Sequence, residues 1–421
     1  MYTYVSMLDI QFIRENPELV QEKATQKGVT VDIRELLELD TERRTRITQI
    51  DELRKRRNEL AEQFKKQKPS QEQIQEGKQL KEEVANLETD LGRIKDSYDQ
   101  IMQRVPNPHF EDVPIGDEDA SIELSRFGDC ETTGAVDHLD FALARDWVDF
   151  ERGAKVAGAK FYYVKGELAL LENAVVQYAL HKVVNEGFNY MSVPHLVNSK
   201  TATGTGFAPR SDEQNDEYYI EGEDLTLIAT AEVPLTGYHA DEIIDESALP
   251  LLYAGYSPCY RKEAGAHGKH TRGLFRVHQF NKLEMYAYTL QEESQAMHDR
   301  LLQIEESIWQ EIGIPYHVIN IASGDLGAPA AKKYDIEYWS KVDGAFREIT
   351  SCSNCTDFQT RNLNIRVRRA DDTVELLHSL NGTAVSMART LVAIIEHFQN
   401  EDGTLNVPEV LQPYMNGKKQ I

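Results

Sequence analysis

Residues 255–288 read GYSPCYRKEAGAHGKHTRGLFRVHQFNKLEMYAY. Two runs that alternate bulky and polar side chains, LLYAGYSPCYRKE and LFRVHQFNKLEMYAY, flank a middle of Gly265, Ala266, His267, Gly268, Lys269, His270, Thr271, Arg272 and Gly273. The alternation predicts two strands, and the glycine-rich middle predicts a flexible loop between them. Period two places Arg276, His278, Phe280, Lys282 and Glu284 on one face, and Arg261 and Glu263 close the first strand. A face with that many charges makes a poor core, because buried charges need partners. It is expected to face a ligand, the alternative being an exposed charged hairpin.

The residue types suggest the ligand. Arginine suits phosphate through bidentate contacts. Phe280 offers a surface for a flat ring, and Glu284 an acceptor for an amine or hydroxyl. Together they point to a nucleotide plus an amino acid.

Length and composition bound the rest. The chain has 421 residues, enough for two or three domains. With 41% hydrophobic and 28% charged residues it has a soluble globular composition. Four scattered cysteines make no disulfide framework and fit a reducing, cytoplasmic setting. No apolar run is long enough for a membrane, and MYTYVSMLDIQF has no signal-peptide pattern. Residues before Met7 read as a short extension or a start-site choice. The net charge of -24 argues against nucleic-acid binding only as a whole-chain average.

The positive charge gathers near the N-terminus. After a short helical unit, with a start at Asn16-Pro17, an end at Gly28 and a new start at Asp32, a long helical run follows. Its apolar stripe is Ile47, Ile50, Leu53, Leu60 and Phe64; Pro69-Ser70 breaks it. It resumes as Leu80, Val84, Leu87, Leu91, Ile94, Tyr98 and Ile101, a heptad seam. An antiparallel helical hairpin, a projecting arm, is expected. Residues 41–68 carry ten bases against five acids, a surplus of +5; residues 72–104 carry five bases against eight acids. A basic strip on an acidic protein suits a phosphate backbone, the alternative being a solvated coiled-coil face.

Further along, a helix is expected around Phe141–Asp149, a small-residue turn and a strand at Phe161–Val164, and a helix from Leu168 to Glu186 ended by Gly187. A strand holding Pro194 follows, which marks an edge. Residues 201–222 read as a polar loop, and the strand Leu225–Ile228 delivers Thr230, Ala231 and Glu232 to its end. Met297, Leu301, Ile304, Ile308 and Ile312 share one helix face. Glu348 and Ser351 offer side-chain oxygens of the kind magnesium takes as ligands. Cys352-x-x-Cys355 lacks the partners of a zinc site and the setting of a redox pair. Asn381-Gly382-Thr383 is expected to open a helix that carries Arg389, costly to bury without an anion.

Arg261-Lys262-Glu263, the glycine-rich loop and FRVHQFNKLE resemble motif two of the class II aminoacyl-tRNA synthetases, in the seryl-tRNA synthetase form. The long helix and Pro194 strand resemble motif one, and the stretch around Asn381–Arg389 motif three. Thr230-Ala231-Glu232 matches the family loop that closes over serine, EITSCSNC its ATP-contacting stretch with structural cysteines, and VPNPHFEDVPIG its linker. The resemblance runs from Met7 to about Tyr414; residues 206–217 are the less typical part.

The resemblance implies an α+β fold. Residues 1–104 would be a tRNA-binding domain with a coiled-coil arm, 105–136 a linker, and 137–421 a catalytic domain with an antiparallel sheet flanked by helices. It implies a serine–tRNA ligase acting on L-serine, ATP and tRNA(Ser), and admits tRNA(Sec). It implies Mg2+ with the ATP, no zinc, a homodimer and no membrane. The implied catalytic residues are Arg261 and Arg389. The implied ATP set is Arg261, Lys262, Glu263, Arg276, Val277, Phe280, Glu348, Ile349, Thr350, Ser351 and Arg389, with Glu348 and Ser351 holding metal. The implied serine set is Thr230, Ala231, Glu232, Arg261, Glu284, Asn381 and Thr383. Arg54, Lys55, Arg56 and Arg57 would meet tRNA. Two rivals share part of the pattern. A ligase that loads an amino acid onto a carrier protein would lack the arm. A non-catalytic RNA-binding module would not need Arg261, Glu348 and Arg389.

Overall fold

The computed structural model describes residues 9–131, 134–207, 216–263 and 272–421, with backbone alone at Lys66. The expected loop at Gly265–Thr271, residues 208–215 of the polar stretch, and Met7 lie outside them. The chain forms two compact units, the first ending at Pro106 and the second beginning at Asn107.

The first unit is helical: α1 Ile10–Glu15, α2 Pro17–Gln26, α3 Ile33–Lys66 and α4 Gln71–Met102. Pro17 takes the first turn of α2, where its missing N–H costs nothing. Asp32 caps α3, and Ser70 with Gln73 forms a capping box on α4. The 34 residues of α3 span about 50 Å at the helical rise. Helices α3 and α4 run antiparallel, since Arg43 packs on Tyr98, Arg54 pairs with Glu88 and Arg56 with Glu76. Ile50, Leu60, Leu80, Val84 and Tyr98 are buried along the seam, while Ile47 is exposed.

The second unit is built on a sheet. Its elements begin with β1 Ile122–Phe127, α5 His138–Ala144, β2 Val148–Asp149, α6 Phe150–Ala157, β3 Tyr163–Val164 and α7 Gly166–Asn185. Then come β4 Asn189–Met191, β5 Leu196–Val197, α8 Ser199–Thr205, β6 Thr226–Leu227, α9 Glu232–Gly237 and β7 Ile243–Asp245. The expected hairpin is β8 Leu251–Tyr260 and β9 Gln279–Thr289, followed by α10 Ser294–Ile312. The rest is β10 Tyr316–Asn320, β11 Lys332–Ser340, β12 Ala345–Asn354, α11 Phe358–Asn362, β13 Arg366–Arg368, β14 Val374–Leu376, β15 His378–Ser386 and α12 Met387–Phe398. Eight strands join in the order β1-β10-β11-β12-β15-β9-β8-β4. All pairs are antiparallel except β4 with β8. The largest core packs α7, α10 and α12 against this sheet.

Five local expectations are corrected. The helix expected at Phe141–Asp149 starts at Asp137, its cap, and ends before Asp146 (φ 56°); Asp149 caps a separate helix, α6. That helix replaces the expected small-residue turn; a Cβ on Gly153 would lie 2.1 Å from the Phe161 carbonyl oxygen. Residues 201–205 of the expected polar loop belong to α8, whose N-terminus the Asn198 side chain caps. Asn381-Gly382-Thr383 opens no helix but lies inside β15, between β12 and β9. Gly382 suits that tight place, since a Cβ there would sit 2.9 Å from the buried Glu305 carboxyl and 3.3 Å from Cys352. Pro194 lies between β4 and β5 rather than inside a strand, and β4 is the sheet edge.

Leu80→Ala in the helical seam is expected to cost roughly 2–5 kcal/mol of local stability. Hydrogen exchange on the intact chain should show protection lost across α3 and α4 and kept in the sheet.

Candidate active site

The sheet opens into a cavity of about 530 Å³. Strands β12 and β15 pair only from Cys352↔Gly382 to Asn354↔Leu380 and then part. Glu348–Ser351 on one strand and Thr383 on the other border the opening. A bulge in β12 beside Ile349 breaks period two, so Glu348 and Ser351, three apart, both reach the cavity. A second bulge, between Thr383 and Val385, does the same for Thr383 and Ser386. Strand β9 keeps strict alternation and presents Phe280, Lys282 and Glu284.

Thr230, Glu232, Arg261, Glu263, Arg276, Val277, Asn381 and Arg389 line the same cavity. So do Ile349 and Thr350, whose side chains are buried; Thr350 accepts a hydrogen bond from Trp309. Two expected site residues do not line it. Ala231 is buried in the core beside α9. Lys262 lies over the rings of Tyr218 and Tyr219. His278, expected on the charged face, precedes β9; it bonds to the Tyr218 hydroxyl at 2.9 Å and meets the edge of Phe161.

Two groups of contacts divide the cavity. At one, Thr230 donates to Glu284 at 2.9 Å, and Lys282 pairs with the same carboxylate. The Thr230 hydroxyl also accepts from the amide of Glu232, the first residue of α9, at 3.2 Å. Gln359 and Asn381 donate to Glu232 Oε1 at 2.8 and 2.9 Å. Burial, and then the Glu284 charge, push the Glu232 carboxyl up to about 7. At the other, Arg389 pairs with Glu348 at 3.0 Å and lies over Phe275. Burial works against ionising Glu348, but the Arg389 and Lys333 charges outweigh it and hold the carboxyl at about 2. Arg276 pairs with Glu263 at 3.1 Å, and the Arg261 guanidinium lies 5.3 Å from the centre of the Phe280 ring.

Sequence reasoning missed Asp216, Glu217, Phe275, Asp325 and Lys333 in the cavity wall, and Gln359 behind it. Lys333 alternates with Asp335 along β11 and pairs with it at 3.2 Å, a signal that period two held in plain view. Cys352 and Cys355 are buried, and Asn381 donates to the Cys355 sulfur.

The chain matches two families. One is described as the seryl-tRNA synthetase N-terminal domain, over residues 7–109, and the other as the tRNA synthetase class II core domain (G, H, P, S and T), over 216–398. It is 44% identical over 417 residues to the serine–tRNA ligase of Dictyoglomus turgidum, covering 97% of this chain and 98% of that one. The serine–tRNA ligase of Dictyoglomus thermophilum is 46% identical over the same span. Among solved structures, seryl-tRNA synthetase from Pyrococcus horikoshii complexed with ATP superposes with a TM-score of 0.87 at 39% identity, covering 98% of this chain and 99% of that chain. The cytoplasmic serine–tRNA ligase of Naegleria fowleri in complex with AMP gives 0.83 at 33%, covering 98% of each.

Glu232 titrates higher folded than unfolded, so its contribution to stability is present below about pH 4.5 and lost as pH rises through about 7. The ligand-free protein should lose up to roughly 3 kcal/mol through this group across that window. Glu232→Gln is expected to flatten the fall, read as the melting temperature at pH 5 against pH 8.

Proposed function

The chain belongs to the seryl-tRNA synthetase family, and on that premise we propose how its cavity carries the reaction. It is a serine–tRNA ligase, an enzyme that forms an aminoacyl-tRNA. The serine carboxylate attacks the α-phosphorus of ATP, the bond to the bridging oxygen breaks, and pyrophosphate leaves with the electron pair. The 3′-terminal hydroxyl of the tRNA then attacks the seryl carbonyl, gives up its proton, and AMP leaves. Neither step needs a side-chain nucleophile, so the protein contributes positioning and charge neutralisation.

In this reading Arg261 holds the α-phosphate and the serine carboxylate, Arg389 holds the γ-phosphate, and adenine stacks on Phe280. Glu263, Arg276 and the backbone at Val277 contact the nucleotide. Thr230, Glu232, Glu284, Asn381 and Thr383 receive serine. The observation that carries the assignment is the convergence of all these residues on one cavity. A site built to bond the serine hydroxyl rejects alanine by about 10⁴-fold.

The wall also speaks for a cation. Seven carboxylates (Asp216, Glu217, Glu232, Glu263, Glu284, Asp325, Glu348) face five cations (Arg261, Arg276, Lys282, Lys333, Arg389) among the described residues. A bare triphosphate would meet a net negative lining. Glu348, ionised and brought beside Ser351 by the bulge, fits the sparse oxygen set that magnesium takes from proteins. These two would hold Mg2+, which when bound neutralises phosphate charge. We further assign residues 1–104 to tRNA(Ser) binding, 105–136 to a linker and 137–421 to catalysis. A homodimer through the α7–β4 face is part of the proposal, supported by exposed Leu170, Val184 and Tyr190. So are a cytoplasmic setting and tRNA(Sec) as a second acceptor. No helix among the described residues is long and apolar enough to cross a membrane.

Serine-dependent exchange of pyrophosphate into ATP, with magnesium and no tRNA, tests the assignment. Exchange with serine and little with threonine or alanine is expected; none with any amino acid would overturn it. Arg389→Ala, which also leaves Glu348 without its partner, should slow exchange by roughly 10²–10³-fold. Joint alanine changes at Arg54, Lys55, Arg56 and Arg57 should slow tRNA charging and leave exchange intact; equal loss in both assays would remove the arm from the reading.

A further inference from the structure

We infer that Gln359 is a positioning residue for serine recognition: from α11, its amide fixes the Glu232 carboxylate that receives the substrate. This rests on the reading of Glu232 as a serine contact. Gln359 is fully buried, and all four of its hydrogen-bonding positions are used. Its Nε2 donates to Glu232 Oε1 at 2.8 Å and to the Thr205 carbonyl at 3.1 Å. Its Oε1 accepts from the Tyr286 hydroxyl at 2.9 Å and the Ser379 hydroxyl at 2.8 Å. The amide cannot turn over, because its carbonyl would then oppose a carboxylate and another carbonyl.

The four partners come from α9, the end of α8, β9 and β15, so the side chain is held from several sides. Gln359 and Asn381 both converge on Oε1 of Glu232. Among the described residues no hydrogen bond reaches Oε2, the oxygen left for a ligand. The charged groups around Glu232 are Glu284 and Lys282 on β9 and Arg261 just after β8. They set the local field, while the two amides set direction. A neutral donor orients the carboxylate without cancelling the charge that a serine ammonium needs.

The test is pyrophosphate exchange by the full chain, with KM for serine and for ATP measured from pH 6 to 9 in Gln359→Met, Gln359→Glu and Glu232→Gln. Gln359→Met keeps the volume and removes the bonds. Its KM for serine should rise roughly ten- to a hundredfold with the ATP KM nearly unchanged, the scale of one hydrogen bond to a charged group. Gln359→Glu can donate to Glu232 only while protonated, so it should keep serine affinity on the acid side and add an alkaline limb to kcat/KM for serine. An unchanged serine KM in Gln359→Met, or serine and ATP KM rising together, would overturn the proposal. Should Gln359→Met fail to fold, a Gln359→Glu profile without the added limb would do so. Glu232→Gln with an unchanged serine KM would instead overturn the reading of Glu232 beneath it.

Discussion

A charge can be buried only with a partner, and the sheet face made by β9, β12 and β15 is arranged around that constraint. Glu284 is 1% exposed and is held by Lys282 and Thr230. Glu348 is held by Arg389. Glu284 and Glu348 therefore each have a charged protein partner in place. The side chains are ordered by one another, and a substrate meets groups whose direction is already set. The same constraint shapes the backbone: β12 and β15 must part to make room for such side chains, and both carry a bulge where they do so.

Much of this was legible in the sequence. Alternation along FNKLE gave the correct face for Phe280, Lys282 and Glu284, because β9 pairs on both sides and keeps its period. It failed at His278, one residue before the strand starts. The bulges were not legible, since an extra residue in a ladder leaves no mark in a hydrophobic pattern. Asn381-Gly382-Thr383 read as the opening of a helix, which tertiary pairing overrode; two neighbouring strands and a close-packed glycine decide that segment. Gln359 gave no signal at all. A lone glutamine in a short helix reads as surface, and only the fold turns it into the centre of a polar network.

The arm divides along the same line. Its starts, break and seam could be read from local chemistry, because Asp32, Pro69-Ser70 and the heptad positions act within one or two turns. Its charge could not. Arg54 and Arg56 are bound to Glu88 and Glu76 of the facing helix, whereas Lys55 and Arg57 form no ion pair among the described residues. Which bases are paired depends on helix register, beyond the reach of a count. Exposed pairs of this kind contribute at most about 1 kcal/mol. A polyanion that releases its counterions can replace them.

The partners of Glu284 and Glu232, both buried, differ in kind. Glu284 has a lysine, so its charge is answered inside the protein. Glu232 has two neutral amides, and burial leaves its carboxyl near 7 rather than in the ordinary acid range. A lysine beside Glu232 would satisfy the carboxylate and compete with an incoming ammonium. Amide donors restrict its direction without adding a positive charge, and on the proposed reading the serine ammonium supplies one. On that reading, binding of a cationic amine would relieve a burial cost built into the fold. A ligand without that amine would leave the cost in place, so discrimination begins with the choice of glutamine and asparagine over a base.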